Sequence, residues 1–271
     1  MKKSEPTGFQ VTFLLFAVAF AAMLITSWAA KQIELPEDRF NVLGNLLAFP
    51  LEIGLVLAFA SLRGLVVEGL SAPLSLHTSK EAAGVAALKL TITFGVWGAV
   101  ALWGIHVMEH PELRAYGFLT SRDAMDASYL SPWGITKALY AVSLGPIIEE
   151  ILYRGVLYRL WERQWGWIAG AVLSAAVFSI IHPHNLIVTF LSAILYACVY
   201  RRTGTLWAPI LCHILFNLSV TWPLLGQVLI LKPAEAATTF APWIPNVACL
   251  AIGIPGFLYY LWLTARTPAP R

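Results

Sequence analysis

The sequence predicts an all-α membrane protein, a polytopic bundle of about eight transmembrane helices. Of its 271 residues, 58% are apolar and only 12% are charged, the mean hydropathy is +0.71, and the apolar residues are gathered into long runs. A soluble domain has roughly a quarter charged residues, which cover its water-facing surface. The net charge of +3 is too small for a phosphate-binding patch, so composition excludes a nucleic-acid partner.

Eight apolar runs have about the length that crosses a bilayer core of roughly 30 Å, which takes about 20 helical residues. The first run exceeds the roughly 7–15 residues of a signal-peptide core, and we expect it to be retained as a transmembrane helix. The runs between residues 166 and 200 are short enough for one of them to be broken or re-entrant. The eight runs cover residues 9–30, 42–62, 84–105, 135–158, 166–182, 186–200, 206–230 and 242–264.

Lysine and arginine are distributed unequally between the two sides that these runs define. If the N-terminus is inside, ten of the 18 basic residues lie in inner segments, five lie in outer segments and three lie within runs. Because positive residues collect on the cytoplasmic side, the sequence predicts cytoplasmic termini and an outward-facing polar connection over residues 106–134. The compact chain with short loops is typical of the bacterial inner membrane, so we expect a multi-pass protein of the cell membrane.

The densest group of ionisable residues within a run is Glu-Glu-x-x-x-Arg, at Glu149, Glu150 and Arg154. An ionisable group at the centre of a membrane helix costs about 2.5–3.5 kcal/mol, so such clustering points to a function. Adjacent residues lie about 100° apart around a helix, so the two carboxylates cannot serve one face. Glu150 and Arg154 have the spacing of a favourable ion pair, which leaves Glu149 for another role. The alternative is an interfacial helix end where both acids are solvated.

Two other runs carry polar residues at helical spacing. Phe178 and His182 form Phe-x-x-x-His at the end of one run, where a core or interfacial histidine is the alternative to a catalytic one. His213 and Asn217 form His-x-x-x-Asn in the middle of another run, and four-residue spacing puts both side chains on one helical face. A structural hydrogen-bonded pair between helices is the alternative there.

Together these residues have the equipment to hydrolyse an amide without a covalent intermediate. A carboxylate and an imidazole can hold a water and remove its proton, while a second imidazole and an amide can donate hydrogen bonds to the carbonyl oxygen under attack. A glutamate and two histidines could also bind zinc, although the chain lacks a His-Glu-x-x-His helix. Three cysteines without a Cys-x-x-Cys pair give no thiolate metal site. We therefore predict no cofactor, with zinc left open.

The three motifs, in this order, resemble those of the CPBP family, the type II CAAX-processing proteases and their bacteriocin-processing and immunity relatives. The stretch Thr-Gly-Thr-Leu-Trp-Ala-Pro at residues 203–209 is also similar to the family's approach to the motif histidine. The resemblance covers residues 137–220, a third of the chain. It divides the chain into N-terminal transmembrane helices without a family motif (1–134), a catalytic helical core (135–230), and a C-terminal transmembrane helix and tail (231–271).

The resemblance implies an eight-helix intramembrane endopeptidase of the glutamate type, with its site in a cavity within the bilayer. By motif position, Glu149 and His182 would activate the water, while His213 and Asn217 would form the oxyanion hole. The implied partners are the lipid bilayer and a peptide or protein substrate, either lipidated or membrane-anchored, and a metal-free mechanism is favoured. Glu150 and Arg154 would orient the site, and Phe178 is a further supporting position of the motifs.

Two functions other than proteolysis are compatible with the sequence. The polar cluster could serve helix packing in a non-catalytic immunity or scaffold protein of the membrane. It could also form the proton relay of a transporter, in which Glu52, in the second run beside Pro50, would be the best additional member. Lys89 lies near the end of a run, and we expect its side chain to snorkel toward the interface.

Overall fold

The computed structural model describes residues 6–32, 37–109, 132–182, 185–221 and 244–268, and every regular element in these ranges is helical. The predicted all-α class is therefore confirmed. Most of the predicted outer connection, and the last part of the seventh run, lie outside the described residues. The elements are α1 (Gly8–Gln32), α2 (Glu37–Ala58), α3 (Ala60–Ser71), α4 (Leu76–Glu109), α5 (Pro132–Val142), α6 (Leu144–Glu150), a π-helix (Ile151–Tyr158), α7 (Arg159–Trp165), α8 (Trp167–Ile180), α9 (Leu186–Thr203), α10 (Trp207–Thr221) and α11 (Ile244–Arg266).

Four helices in the described part of the chain, α1, α4, α9 and α11, are long and apolar enough to cross a membrane. Helices α2 and α3 meet at a break where the chain bends by 105°. If this bent pair forms one span, it is a fifth crossing. The predicted span over residues 42–62 is interrupted there, because Phe59 has an extended backbone (φ −90°, ψ 115°) that breaks the helix. The apolar helices α8 and α10 are shorter, with 14 and 15 residues. The multi-span architecture is supported, and the count of eight spans is not confirmed.

The predicted span 135–158 consists of separate helices. Helix α5 ends at Val142, and Ser143 leaves helical geometry (φ −132°, ψ −87°) before α6 begins. Pro146 lies in the first turn of α6, where its missing N–H costs no intrahelical hydrogen bond. From Ile151 the chain continues as a π-helix, a geometry often found at functional sites. The Glu-Glu-x-x-x-Arg motif spans the junction between α6 and the π-helix.

Two apolar cores flank the motif helices. One packs α1, α2 and α3 against the π-helix and α7, around the buried Trp161. The other packs α4, α9, α10 and α11 together, around Tyr196 and Cys212. Helix α8 approaches the π-helix closely at Gly170, where a Cβ would stand 2.8 Å from the carbonyl oxygen of Tyr158. The motif residues therefore come from helices that pack on one another between two apolar cores.

In the described part of the chain, three ion pairs between helices join one end of the bundle. The motif glutamates lie nine or ten residues before Arg159, which belongs to one of these pairs. They are therefore in the interior of the bundle and away from this charged end. The three pairs are Arg159–Glu68 at 2.9 Å, Arg201–Glu162 at 3.0 Å, and Arg202–Glu81.

Candidate active site

Glu150 and Arg154 form a fully buried ion pair at the junction of α6 and the π-helix. Arg154 Nη1 donates to Glu150 Oε1 at 3.1 Å, and neither side chain has any solvent exposure. The ion pair that the spacing predicts is therefore present, and the alternative of two solvated acids at a helix end is wrong for Glu150. Arg154 also donates through Nη2 to the carbonyl oxygen of Ala193 at 3.1 Å, which joins the π-helix to α9.

The same carboxylate oxygen holds His213 of α10. His213 Nδ1 lies 2.9 Å from Glu150 Oε1. An ionised carboxylate only accepts hydrogen bonds, so Nδ1 carries the proton and Nε2 faces elsewhere. The ring of Tyr196 stacks on the imidazole, with 4.8 Å between the ring centroids. Glu150 thus fixes the tautomer of His213, and Glu150 and Tyr196 together fix the orientation of its ring. A carboxylate partner has the same effect on histidines that bind metal ions.

Glu149 faces a different side of the helix from Glu150, as the offset of about 100° between adjacent residues requires. Its Oε2 lies 3.8 Å from His213 Nε2, and its side chain is 14% exposed. Glu149 also lines a cavity together with His182. Glu149 therefore lies beside His213 and shares the cavity with His182, while Glu150 is committed to Arg154 and to the far nitrogen of His213.

His182 lies just beyond the end of α8. Its Nδ1 is 2.8 Å from the carbonyl oxygen of Phe178. Because a carbonyl oxygen only accepts, Nδ1 is the protonated nitrogen and Nε2 of the neutral ring keeps a lone pair. The ring of Phe178 lies 4.7 Å from that of His182 and 6.1 Å from that of His213, centroid to centroid. The Arg154 guanidinium carbon lies 4.9 Å from the Phe178 ring, so Phe178 packs against three motif side chains.

Asn217 lies one turn after His213 on α10. Its Nδ2 donates to the carbonyl oxygen of Ala141, near the end of α5, at 2.7 Å. An amide nitrogen carries two hydrogens, so this bond uses one of them. Neither His213 nor Asn217 is among the described residues that line the cavity shared by Glu149 and His182. The structure therefore brings Glu149, His182 and His213 together, and it joins Asn217 to them through the α10 helix.

A cavity of about 180 Å³ lies between the motif helices and the N-terminal helices. This volume is well above the roughly 10–15 Å³ that one water requires. One wall comes from α1 and α2, which lie outside the motif segment, and it is apolar apart from Thr12 and Glu52. The opposite wall carries Glu149, Tyr153 and His182. The first 134 residues, which carry no family motif, thus contribute directly to the candidate site.

Lys89 of α4 lies beside the site, and its position differs from the one expected from the sequence. It is 5% exposed, it donates to the hydroxyl of Tyr196, and its ammonium lies 3.3 Å from the centroid of the Phe216 ring. The prediction that it snorkels is wrong because α4 is 34 residues long, which puts Lys89 well inside the helix. The position of this lysine within so long an apolar helix is the signal that could have identified it as a buried residue.

No group of three or more His, Cys, Asp or Glu side chains among the described residues is arranged to hold a metal ion. The three cysteines are free thiols, with Cys198 and Cys212 buried and Cys249 half-buried. The zinc alternative therefore has no ligand set in the part of the chain that the structure describes.

The motif segment matches a known protein family. Residues 131–219, about a third of the chain, match the model of the Rce1-like type II CAAX prenyl endopeptidases. The family resemblance is confirmed. The Rce1-like segment contains all three motifs, together with α5 to α9 and most of α10, and it leaves out α1 to α4 and α11.

One relative is similar to part of this chain. The protein named "Putative membrane peptidase YdiL" from Bacillus subtilis (strain 168) is 35% identical over 78 residues. These residues are 27% of this chain and 31% of the relative, so the match spans less than a third of the relative's length. No solved structure matches the chain significantly. The comparisons therefore support similarity to membrane proteases.

Proposed function

We propose that the chain is an intramembrane endopeptidase of the glutamate type, in which Glu149 and His182 activate a water for attack on a peptide bond. The observation that carries the proposal is that Glu149 lies beside one imidazole and shares a cavity with a second. It lines the cavity with His182 and lies 3.8 Å from His213 Nε2. The Rce1-like match of residues 131–219 supports a peptidase independently of this geometry.

The cavity offers a water molecule two acceptors. His182 commits its Nδ1 proton to the carbonyl oxygen of Phe178, so its Nε2 accepts, and an ionised Glu149 carboxylate also only accepts. A water that donates one hydrogen to each presents its oxygen lone pair to a carbonyl carbon. Glu149 takes the proton as general base and returns it to the nitrogen of the leaving amine as general acid. One water is consumed for each peptide bond broken.

His213 and Asn217 are the proposed oxyanion donors. Because Glu150 accepts the Nδ1 proton of His213, His213 donates to an oxyanion only when Nε2 is protonated as well. A carboxylate at Nδ1 stabilises that imidazolium, which makes Glu150 a positioning residue rather than a catalytic one. The second amide hydrogen of Asn217, beyond the bond to Ala141, is the other donor. Preorganised donors of this kind stabilise the charge that develops on the carbonyl oxygen.

The proposed substrate is a peptide or protein segment presented at the membrane, either lipidated or membrane-anchored. The cavity wall formed by α1 and α2 is mainly apolar, which suits an apolar chain that enters from the bilayer. The twofold excess of lysine and arginine on one side supports cytoplasmic termini. On the same grounds we propose a multi-pass protein of the bacterial inner membrane.

The variant Glu149→Gln tests the proposal because it is nearly isosteric but cannot act as a base. We expect the folded, membrane-inserted variant to lose cleavage by roughly 10²–10⁴-fold. Membrane fractions from cells that carry the intact protein or this variant are compared by terminal proteomics, and a peptide terminus present only with the intact protein identifies the substrate. The matched control is Glu68→Gln, which removes an exposed carboxylate paired with Arg159 and should keep cleavage. Equal turnover in both variants would refute the proposal.

The same variant separates proteolysis from the two other functions. A non-catalytic immunity or scaffold protein would keep its biological effect when folded Glu149→Gln replaces the intact chain. A proton-coupled transporter would take up protons into vesicles in a substrate-dependent manner, without producing a new peptide terminus. Loss of the terminus together with loss of the biological effect favours the endopeptidase.

A further inference from the structure

A third carboxylate faces the candidate site from outside the motifs. Glu52 of α2 is 7% exposed, and it lines the cavity together with Glu149 and His182. Its Oε2 is buried and has no hydrogen-bond partner among the described residues. A buried carboxylate without a partner is costly, so this oxygen is poised for a donor that arrives with a ligand.

The charge balance of the cavity specifies which donor this is. The described residues that line the cavity include two carboxylates and neither a lysine nor an arginine. Cations close to the site are engaged elsewhere, Arg154 with Glu150 and Lys89 with Tyr196. A positively charged group on the ligand would therefore meet two carboxylates, with no other cationic side chain among the described lining residues. Hydrogen bonds between a cation and a carboxylate are among the strong ones.

We propose that Glu52 is a specificity-determining residue, which pairs with a basic side chain of the substrate, a lysine or arginine close to the scissile bond. The inference rests on the proposed endopeptidase function and names its substrate class, a membrane-associated peptide with a basic residue beside the bond that is cleaved. The apolar residues of α1 and α2 accept the methylene stem of such a side chain, and Glu52 Oε2 accepts a hydrogen bond from its charged head.

The experiment measures binding without catalysis, on the full chain that carries Glu149→Gln. Two labelled apolar peptides, blocked at both ends and identical except for one central lysine or norleucine, are titrated by fluorescence anisotropy in nanodiscs. The ratio of their affinities is compared with the ratio in the double variant Glu52→Gln/Glu149→Gln, so that differences in membrane partitioning cancel, as in a double-mutant cycle. Glu68→Gln on the Glu149→Gln chain is the control, because its carboxylate lies outside the cavity and pairs with Arg159.

We expect the lysine peptide to bind more tightly, and we expect Glu52→Gln to lower the lysine-to-norleucine ratio by about tenfold or more. The control should keep the ratio. Glu52→Asp retains the charge and should keep part of the preference, which separates loss of the carboxylate from a folding defect. An unchanged ratio in the double variant Glu52→Gln/Glu149→Gln overturns the inference.

This design distinguishes failure of the endopeptidase proposal from failure of the proposed role of Glu52. Cleavage by the wild-type chain without any lysine preference would overturn the role of Glu52 and leave the endopeptidase standing. A Glu52-dependent lysine preference in a wild-type chain that cleaves no peptide would leave the cation site standing and overturn the endopeptidase.

Discussion

The buried ion pair of Glu150 and Arg154 gives a prediction about stability that depends on which partner is removed. Arginine stays charged in proteins, so Glu150→Gln leaves a buried guanidinium without its counter-ion. The reverse change, Arg154→Met, leaves a carboxylate that can take up a proton and become neutral. We therefore expect Glu150→Gln to lower the free energy of unfolding by more than Arg154→Met does, although both break the same pair.

The magnitude follows from the geometry. At 3.1 Å, two unit charges attract each other by about 5 kcal/mol at an effective dielectric constant of about 20. Removal of one partner from a buried pair costs about 3–5 kcal/mol, so we expect a loss in this range for Glu150→Gln. For Arg154→Met we expect about 1–3 kcal/mol, mainly from the lost hydrogen bonds to Glu150 and Ala193. The double variant should resemble Arg154→Met.

The assay is reversible unfolding in mixed detergent micelles, with helicity followed by circular dichroism. Glu68→Gln is the control, because its carboxylate is 58% exposed in a pair with Arg159, and exposed pairs contribute only about 0–1 kcal/mol. The reasoning is refuted if Glu150→Gln is as stable as Arg154→Met, or if the double variant is less stable than Glu150→Gln alone. Either result would mean that no uncompensated charge is left behind.

Two more predictions follow from single contacts. If the Asn217 amide is an oxyanion donor, Asn217→Ala should lower kcat by roughly 10²–10³-fold with little change in KM. The kinetics are measured on the peptide that proteomics identifies. A change confined to KM would make Asn217 a substrate-positioning residue. Gly170→Ala should lower the free energy of unfolding by about 1–3 kcal/mol, because its Cβ would meet the carbonyl oxygen of Tyr158 at 2.8 Å. Gly54→Ala, where nothing lies within 4 Å, is the matched control, and equal stability of the two variants would contradict the close approach of α8 to the π-helix.

Helical spacing predicts the local part of the site well. The ion pair of Glu150 and Arg154 follows from four-residue spacing, and the separation of Glu149 from Glu150 follows from the angle between adjacent residues. Spacing within one helix does not say which helices meet. The hydrogen bond from His213 to Glu150 rather than to Glu149, and the stacking of Tyr196 on that imidazole, depend on how α10 and α9 pack against α6. Local sequence contains no record of that packing.

The architecture is predicted less completely, for a similar reason. Hydropathy identifies apolar segments, but it does not show where such a segment bends. The break at Phe59 and the turn at Ser143 both interrupt runs that hydropathy reads as continuous. Lys89 shows a different error: the predicted run starts at residue 84, whereas α4 begins at Leu76, and this late start made a buried residue look interfacial. Run length and composition thus predict a membrane bundle, while the positions of breaks depend on contacts between helices.

The two adjacent glutamates explain why the site needs walls from outside the Rce1-like segment. One helix can give neighbouring carboxylates different partners, so Glu150 is held by Arg154 and His213 while Glu149 faces the cavity. The same helix cannot also enclose the space in front of Glu149, and that enclosure comes from α1 and α2. Residues on those helices, Glu52 above all, contact whatever lies in the cavity without belonging to the motifs. On the proposed function, the chemistry therefore lies in the Rce1-like segment, while α1 and α2 select the substrate.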